Sequence, residues 1–359
     1  MWVAAHASSV AQILADRSFR VRPMAEPVPA AFEGRTAGEI FRHLVRMNDG
    51  DRHDRPKHIL QRALSSLPAQ IISSQATATA ARLLPTTLDA EALTAWMYQA
   101  PVAVVAELIG FPTGEQSAIA RDVRDFVACL SALSTTEQLD DASAAAQRLR
   151  SRLSDTLASL QPTSGHLASH ILADAHGAGW TDNGAIVANL VGLLSQTYEA
   201  TAGLIGNSIV ALANHQGLRD EVRSRVDGWQ QLVHETSRYE SPVQNTRRFA
   251  VESTTVLESI LPPDAAILLV LAAANRDPNV NPEPRRFLLD RPNRCTFTFS
   301  RGPHACPGEA IARSIAVCAL SVLERRLDGP ALDRLAWKWK PTPNGRLPLF
   351  YDGNATRTA

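Results

Sequence analysis

The chain has 359 residues, 45% of them hydrophobic, and its 36 lysines and arginines balance its 36 aspartates and glutamates. This length and apolar content suffice for a sizeable core, and the charge balance gives no global field that would attract nucleic acid or an anionic membrane. The first residues lack the charged, apolar and cleavage-site regions of a signal peptide, and no uninterrupted apolar run of about 18 residues predicts a membrane span. The sequence therefore predicts a cytoplasmic protein that acts on a small molecule, with no nucleic-acid or membrane partner.

Helical periodicity dominates the chain. Apolar residues recur at i, i+3, i+4 and i+7 in segments 90–108, 119–133, 144–160, 183–214, 218–239 and 309–327. Strand-like segments are short and far apart, at 2–4, 20–22, 248–257 and 266–271, with a possible C-terminal hairpin over 337–351. No repeat and no long Gly/Ser linker divides the chain. We therefore predict one mainly α domain with a minor β-sheet over residues 1–359.

The four cysteines have no CxxC or paired spacing, which argues against a disulfide framework or a zinc site. Cys129 and Cys318 lie in apolar helical segments, where a buried cysteine behaves as a small hydrophobe. Cys306 differs, because FTFSRGPHACPGEA places it just before a predicted helix, where unpaired N–H groups and the helix dipole favour a thiolate. Gly302 and Gly308 permit a tight loop and close approach by a large flat group. These residues alone fit either a structural cysteine in a turn or a nucleophile with a nearby base.

The loop around the cysteine resembles the haem-ligand signature of the cytochrome P450 family. The pattern FxxGxxxCxG, with a histidine two residues before the cysteine, is matched by Phe299, Gly302, His304, Cys306 and Gly308. The resemblance implies that Cys306 is the axial thiolate ligand of haem b iron, that His304 faces a haem propionate, and that Phe299 packs near the sulfur. Since there is no CxxCH attachment motif, the haem is expected to be bound non-covalently.

A second motif resembles the family's buried charge cluster. HETSRYESP places Glu235 and Arg238 at i, i+3 on one helix, as the family's ExxR pair requires. Such a pair is weak alone, because similar pairs are common on helix surfaces. Farther along, in PRRFLLDRP, the resemblance makes Arg286 the third member of a Glu-Arg-Arg cluster. A planar, always-charged guanidinium suits a buried clamp that holds the cysteine loop.

Two further segments resemble elements that bind the haem propionates. In SPVQNTRRFA this role falls to Arg248, with Arg247 as the less favoured choice. In MNDGDRHDRPKHIL, His53 and Lys57 are four residues apart, so a helix places both on one face. Lys57 stands where the family has arginine, and Pro56 between them would have to lie in a first helical turn. A solvated charged face is the alternative interpretation of this pair.

The segment LLSQTYEATAGLIGNSIVAL is similar to the family's central helix but departs from it at the proton relay. Aligning AGLIGN puts Gln196 and Thr197 at the small-residue pair, Glu199 at the acid and Ala200 at the alcohol. Thr201 comes one residue late, and one residue turns a side chain by about 100°. Ordered water, a substrate hydroxyl or amine, or Thr197 would then supply protons. Hydroxylation with a compensating water and a radical coupling or ring closure both remain open.

Five segments in order between residues 49 and 308 carry the resemblance. Because Met1 is followed at once by a segment similar to the family's first strands, we expect the leading N-terminal helix to be absent from this sequence: either the protein is naturally short or its true start lies elsewhere. The resemblance implies a P450-type fold, with haem between the central helix and the cysteine-loop helix. It also implies an enzyme that activates dioxygen and oxidises a small organic substrate, which the Ala- and Arg-rich composition associates with bacterial specialised metabolism. No GxGxxG fingerprint follows a strand, so a ferredoxin-type donor and its reductase are expected to supply electrons. The alternatives are a degenerate haem-binding sensor or helper protein, and a peroxide-driven enzyme, whose Arg-Pro pair is missing.

Overall fold

The computed structural model describes residues 1–130, 134–161, 163–326, 332 and 334–353. Within these residues the helices are α1 (Ala7–Ala15), α2 (Thr36–His43), α3 (Asp51–Ser66), α4 (Ala69–Leu83), α5 (Ala90–Ile109), α6 (Gln116–Val127), α7 (Thr136–Ser159), α8 (Leu167–Gly177), α9 (Asn183–Asn214), α10 (Leu218–Ser224), α11 (Gly228–Tyr239), α12 (Leu271–Ala274) and α13 (Glu309–Glu324). The strands are β1 (Trp2–Ala4), β2 (Phe19–Arg20), β3 (Thr246–Ala250), β4 (Thr254–Val256), β5 (Ser259–Leu261), β6 (Ala266–Leu269), β7 (Leu335–Trp339) and β8 (Pro348–Asp352). The predicted fold class, mainly α with a minor sheet, is confirmed.

The largest sheet joins strands from the two ends of the chain in the order β1-β6-β3-β2. β1 pairs with β6 in parallel, with Trp2 opposite Ile267, and β3 pairs antiparallel with both β6 and β2. The hairpins β4–β5 and β7–β8 form two smaller sheets. Parallel neighbours need a long crossover, so this arrangement is not readable from local sequence.

The 32-residue helix α9 runs through the main core and packs against α2, α5, α6, α7, α11 and α13. Its first turn is capped by Asp182, whose side chain accepts a hydrogen bond from the N–H of Ala185 at 2.9 Å. Apolar residues cover most of its circumference, as expected for a helix enclosed on nearly all sides. A second, smaller core lies between α1 and the four-stranded sheet.

The ends of the helices and strands test the segments predicted from apolar periodicity. Segment 183–214 is helical as predicted, but 218–239 is broken between α10 and α11. The backbone at the start of α11 lies so close to α10 that a Cβ at Gly228 would overlap the carbonyl group of Val222, so this position requires glycine. Segment 248–257 divides into β3 and β4, and α4 and α8 were not indicated by the apolar pattern. The predicted helix 119–133 is wrong beyond Val127, where α6 ends and a 3-10 turn follows over Ala128–Leu130. Residues 131–133 and 327 lie outside the described residues.

Helix α5 is, among the described residues, the one helix long and apolar enough to cross a membrane by length and composition. Most of it is buried, against α4, α6 and α9 among others. Its apolar character is therefore accounted for by core packing.

Candidate functional site

The cysteine loop is a tight turn held between α1 and α13. The N–H of Cys306 donates to the carbonyl of Phe299 at 2.8 Å, which closes the loop. Gly302 has φ of +66°, and a Cβ there would overlap the carbonyl group of Leu14, so conformation and close approach both require glycine. The Cys306 side chain is exposed, and the N–H of Gly308 donates to it. The sulfur is thus presented at the start of α13, as predicted.

The charge state of this thiol differs from the sequence-based expectation. Protein surrounds Cys306 on most sides although solvent reaches it, and this desolvation raises the pKa of the thiol. The Gly308 N–H and the Lys57 ammonium lower the pKa, but they do not outweigh desolvation. The helix dipole alone therefore does not produce a thiolate, and a cation at the sulfur is needed to stabilise one.

Three elements bring four predicted basic residues together beside this loop. Helix α3 supplies His53 and Lys57, β3 supplies Arg248, and the loop supplies His304. The rings of His53 and His304 lie with their centroids 4.1 Å apart, and the Lys57 ammonium donates to the carbonyl of Ala305. His53 and Arg248 are buried, so the alternative of a solvated charged face does not describe this cluster.

Asp49 is the carboxylate at the centre of this cluster, and sequence reasoning did not single it out. Its Oδ1 lies 3.0 Å from Nε2 of His304, and its Oδ2 accepts the N–H of Val21 at 3.1 Å. Burial lowers the pKa of Arg248 to about 10, while the Asp49 charge acts in the opposite direction. Arg247, the less favoured choice, is exposed. The Asp-Gly pair before the start of α3 was the available signal, since it marks a helix entry.

Pro56 is not in the first turn of its helix, contrary to prediction. Helix α3 begins at Asp51, so Pro56 is its sixth residue. Proline has no N–H to donate to the carbonyl of Arg52, which therefore lacks its usual helical partner. The helix nevertheless continues and keeps His53 and Lys57 on one face.

A buried charge cluster lies behind the cysteine loop. The side chains of Glu235 and Arg238 are completely buried and joined by a 2.6 Å ion pair. Glu235 also accepts from Nε of Arg291 at 3.0 Å, from Nε of Arg294 at 2.8 Å, and from the N–H of Leu288 at 3.2 Å. Burial raises the pKa of Glu235, but these donors outweigh it, so the net pKa is lowered.

The assignment of Arg286 to this cluster is wrong. Its side chain is 63% exposed and pairs with Glu283, and only its backbone carbonyl accepts hydrogen bonds from Arg238 and Arg291. The guanidinium that completes the cluster is Arg291, whose side chain is 1% exposed, with Arg294 beside it. The chain between α12 and α13 has no regular helix or strand, so no periodicity indicates which arginine turns inward.

A hydrogen-bond network continues from this cluster to the segment that enters the cysteine loop. The Asn275 carbonyl accepts from Arg238 at 3.3 Å, and its side-chain oxygen accepts the N–H of Phe297 at 2.6 Å. The Thr298 hydroxyl donates to the carbonyl of Ser237 in α11. The charge cluster thereby fixes the position of the loop.

Helix α9 is buried along most of its length but has one open face. Leu193, Gln196, Thr197 and Ala200 are only partly buried or exposed, and their spacing places them on one side of the helix. The Thr197 hydroxyl donates to the carbonyl of Leu193 at 2.8 Å, and Nε2 of Gln196 donates to the carbonyl of Gly192 at 2.9 Å. We call these four residues the open face of α9.

The two candidate relay residues on either side of Ala200 point away from this face. Glu199 forms a 2.7 Å ion pair with Lys340 next to β7, and Thr201 is 2% exposed. The geometry agrees with the argument that Thr201 cannot take the direction of a hydroxyl at 200. Their catalytic roles stay predictions.

Comparison with known proteins shows similarity to one family. The family model "Cytochrome P450" matches residues 187–325. The chain is 33% identical over 233 residues to Vitamin D(3) 25-hydroxylase of Pseudonocardia autotrophica, covering 64% of this chain and 56% of that protein. It is 26% identical over 322 residues to the putative cytochrome P450 133B2 of Xylella fastidiosa, covering 87% and 80%. The chain therefore spans little more than half the length of the first of these relatives.

Solved structures match the fold over almost the whole chain. The crystal structure of CalO2 superposes with a TM-score of 0.86 at 24% identity, covering 98% of this chain and 90% of that one. P450BioI, in complex with an acyl carrier protein ligated to hexadec-9Z-enoic acid, superposes with a TM-score of 0.84 at 21% identity, covering 97% and 91%. The chain is therefore similar to cytochromes P450 in the segment 187–325 and in its fold, and the cofactor of that family is haem b.

The residues present fit this cofactor. Gly308 has φ of −97°, which any residue can adopt, and a Cβ there would meet no atom within 4 Å. The polypeptide therefore does not explain the glycine, whereas a flat group packed on the loop does. The cluster supplies two fixed cations, Lys57 and Arg248, and two imidazoles that lie against Asp54 and Asp49. Two cations and ring N–H donors complement propionates.

Proposed function

We propose that this protein is a haem-thiolate oxidoreductase in which Cys306 is the axial ligand of the iron. The observation that carries the proposal is an exposed cysteine thiol at the start of α13, beside four basic side chains from α3, β3 and the loop. Bound haem supplies the redox chemistry for dioxygen activation. The name of the Pseudonocardia relative, a hydroxylase, supports an oxidative activity of this class.

Each element of the site then has a separate task. His53, Lys57, Arg248 and His304 hold the propionates, and charge-assisted hydrogen bonds of this kind are worth about 1.5–3 kcal/mol each. Lys57 does so as a point charge, without the bidentate geometry of arginine. The buried Glu235 cluster holds the cysteine loop in place, and Phe299 packs beside it.

Proton delivery is the unusual part of this site. The open face of α9 has no hydroxyl at Ala200, and Glu199 is engaged by Lys340. The Thr197 hydroxyl directs its proton to a helix carbonyl, so it offers mainly lone pairs. We infer that ordered water or a hydroxyl or amine of the substrate delivers protons, in either a hydroxylation or an oxidative coupling or ring closure.

The substrate is proposed to be a small organic molecule of bacterial specialised metabolism. A ferredoxin-type protein and its reductase are proposed as the source of electrons, because the sequence has no nucleotide fingerprint for a flavin or nicotinamide of its own. The protein would act in the cytoplasm, with neither nucleic acid nor membrane as a partner.

The second candidate is a haem-binding sensor or helper protein without turnover. Ala200 on the open face and the turned-away Glu199 favour it, because both remove groups that would deliver protons. Reduced protein that binds carbon monoxide but consumes no NAD(P)H with any substrate would support this candidate.

A reduced carbon monoxide spectrum tests the ligand assignment. We expect the wild type to show the thiolate-type Soret band and Cys306→Ser to lose it. Cys295→Ser is the matched control, because Cys295 is also a free, partly exposed cysteine of the same segment. A band that survives in Cys306→Ser contradicts the assignment. NAD(P)H consumption and product formation with a surrogate ferredoxin and reductase then test the activity.

A further inference from the structure

An unpaired guanidinium lies in the 3-10 turn Val45–Met47, between α2 and α3. Arg46 is half-buried, and its Nε is enclosed without a hydrogen-bond partner. No carboxylate of the described residues forms an ion pair with it, in contrast to the buried arginines around Glu235. Arg42, four residues earlier, is also unpaired in the described chain, but it is exposed to water.

An enclosed cation without a partner is costly, so its presence calls for an explanation. The surrounding protein lowers the pKa of Arg46 to about 10, and the nearby Cys129 thiol acts to a smaller extent in the opposite direction. Buried guanidinium groups normally have a carboxylate or several carbonyls as partners. Since the described residues supply no such partner, we consider a bound anion from outside the polypeptide.

The turn that carries Arg46 is fixed beside the open face of α9. The N–H of Val45 donates to Oδ1 of Asn189 at 2.8 Å, in the second turn of α9. Leu44 packs against Gly192, where a Cβ would come within 2.8 Å of its side chain, and the same glycine carbonyl accepts from Gln196. The turn that carries Arg46 therefore adjoins the end of the open face that begins at Leu193.

We propose that Arg46 binds a carboxylate of the substrate beside the open face of α9. The inference rests on the proposed function, because it takes this face as the substrate side of the haem. A guanidinium matches a carboxylate with two parallel hydrogen bonds. The neighbours Leu44, Val45 and Met47 are apolar, and no second cation of the described residues supports Arg46. This combination fits a single carboxylate on an otherwise apolar molecule better than a phosphate, which several N–H donors usually bind.

Haem-coordinating probes with a charged tail can measure this interaction in the holoenzyme. The probes are ω-(imidazol-1-yl)alkanoic acids of increasing chain length and their methyl esters. Each is titrated into the protein, and its binding is measured from the Soret shift. At the chain length that reaches Arg46, we expect the acid to bind wild type about tenfold to a hundredfold more tightly than the ester. Arg46→Leu is expected to remove this preference, Arg46→Lys to retain part of it, and Arg42→Leu, the matched control, to leave it unchanged.

Thermal unfolding without probe distinguishes this role from a structural one, because replacing a structurally important Arg46 would lower the melting temperature. Arg46→Leu is expected to melt at the same temperature as wild type or higher, because it removes an unpaired enclosed charge. Arg46→Gln tests the same point with a polar side chain of similar length. Equal binding of acid and ester at every length, or a preference that survives in Arg46→Leu, overturns the proposal. Protein that lacks the thiolate-type Soret band in the reduced carbon monoxide spectrum instead contradicts the haem-thiolate assignment itself.

Discussion

Replacing Arg291 by methionine is expected to destabilise the protein strongly, whereas the same change at Arg286 is expected to have little effect. Arg291 is 1% exposed and donates to Glu235, to the carbonyl of Arg286 at 2.7 Å, to that of Glu283 at 3.2 Å, and to that of Pro282. Arg286 is 63% exposed, and its side chain makes one surface ion pair. Methionine has similar reach but no donors.

The magnitude follows from these contacts. Each buried acceptor left without its donor costs about 1–3 kcal/mol. Removing one of three cations around a single carboxylate relieves repulsion, which offsets part of that loss. The net cost for Arg291→Met is about 3–5 kcal/mol, a large share of a typical stability of about 5–15 kcal/mol. An exposed pair such as that of Arg286 is worth about 0–1 kcal/mol.

Urea unfolding of haem-loaded protein, followed by circular dichroism and by the Soret band, measures both effects. Arg291→Met is expected to lower the midpoint with an unchanged slope, which identifies a change in stability. Glu283→Gln is a control that removes only the exposed pair with Arg286. Equal midpoints for Arg291→Met and wild type, or a larger loss in Arg286→Met, would refute the assignment of Arg291 to the cluster.

Three further predictions follow from the site. Gly308→Ala is expected to leave the unfolding of haem-free protein unchanged but to speed haem transfer to apomyoglobin, since its Cβ meets only the cofactor's space; equal transfer rates would contradict the fit of haem to this loop. Ala200→Thr is expected to increase the share of electrons from NAD(P)H that ends in product and to decrease the share that ends in peroxide, although the enzyme is active without this hydroxyl. Thr201→Ala is expected to lower the melting temperature without changing that share. A larger share of peroxide in Thr201→Ala would contradict the assigned helix register. Because the folded-state pKa of Glu235 lies below its unfolded value of about 4.3, its stabilisation is complete above that pH and lost as pH falls through the folded pKa. The acid limb of a melting-temperature profile is therefore expected to be shallower in Glu235→Gln, and identical limbs would contradict this account.

The sequence by itself determined features that depend on local geometry. Glu235 and Arg238 meet because residues three apart share a helix face, and His53 and Lys57 do so because they are four apart. The range of α9 follows from a long apolar pattern between a capping Asp182 and polar residues beyond Asn214. Likewise, the one-residue offset of Thr201 from Ala200 already separates their directions on a helix.

Only the tertiary structure decided which side chains complete these pairs. Arg291 rather than Arg286 reaches Glu235, because the path of an irregular segment sets where each side chain points and no periodicity encodes that path. Asp49 joins His304 across 255 positions of the chain, a contact made by the packing of α3 against the cysteine loop. Likewise, no partner for Arg46 is found among the described residues, and this depends on which side chains folding brings near it.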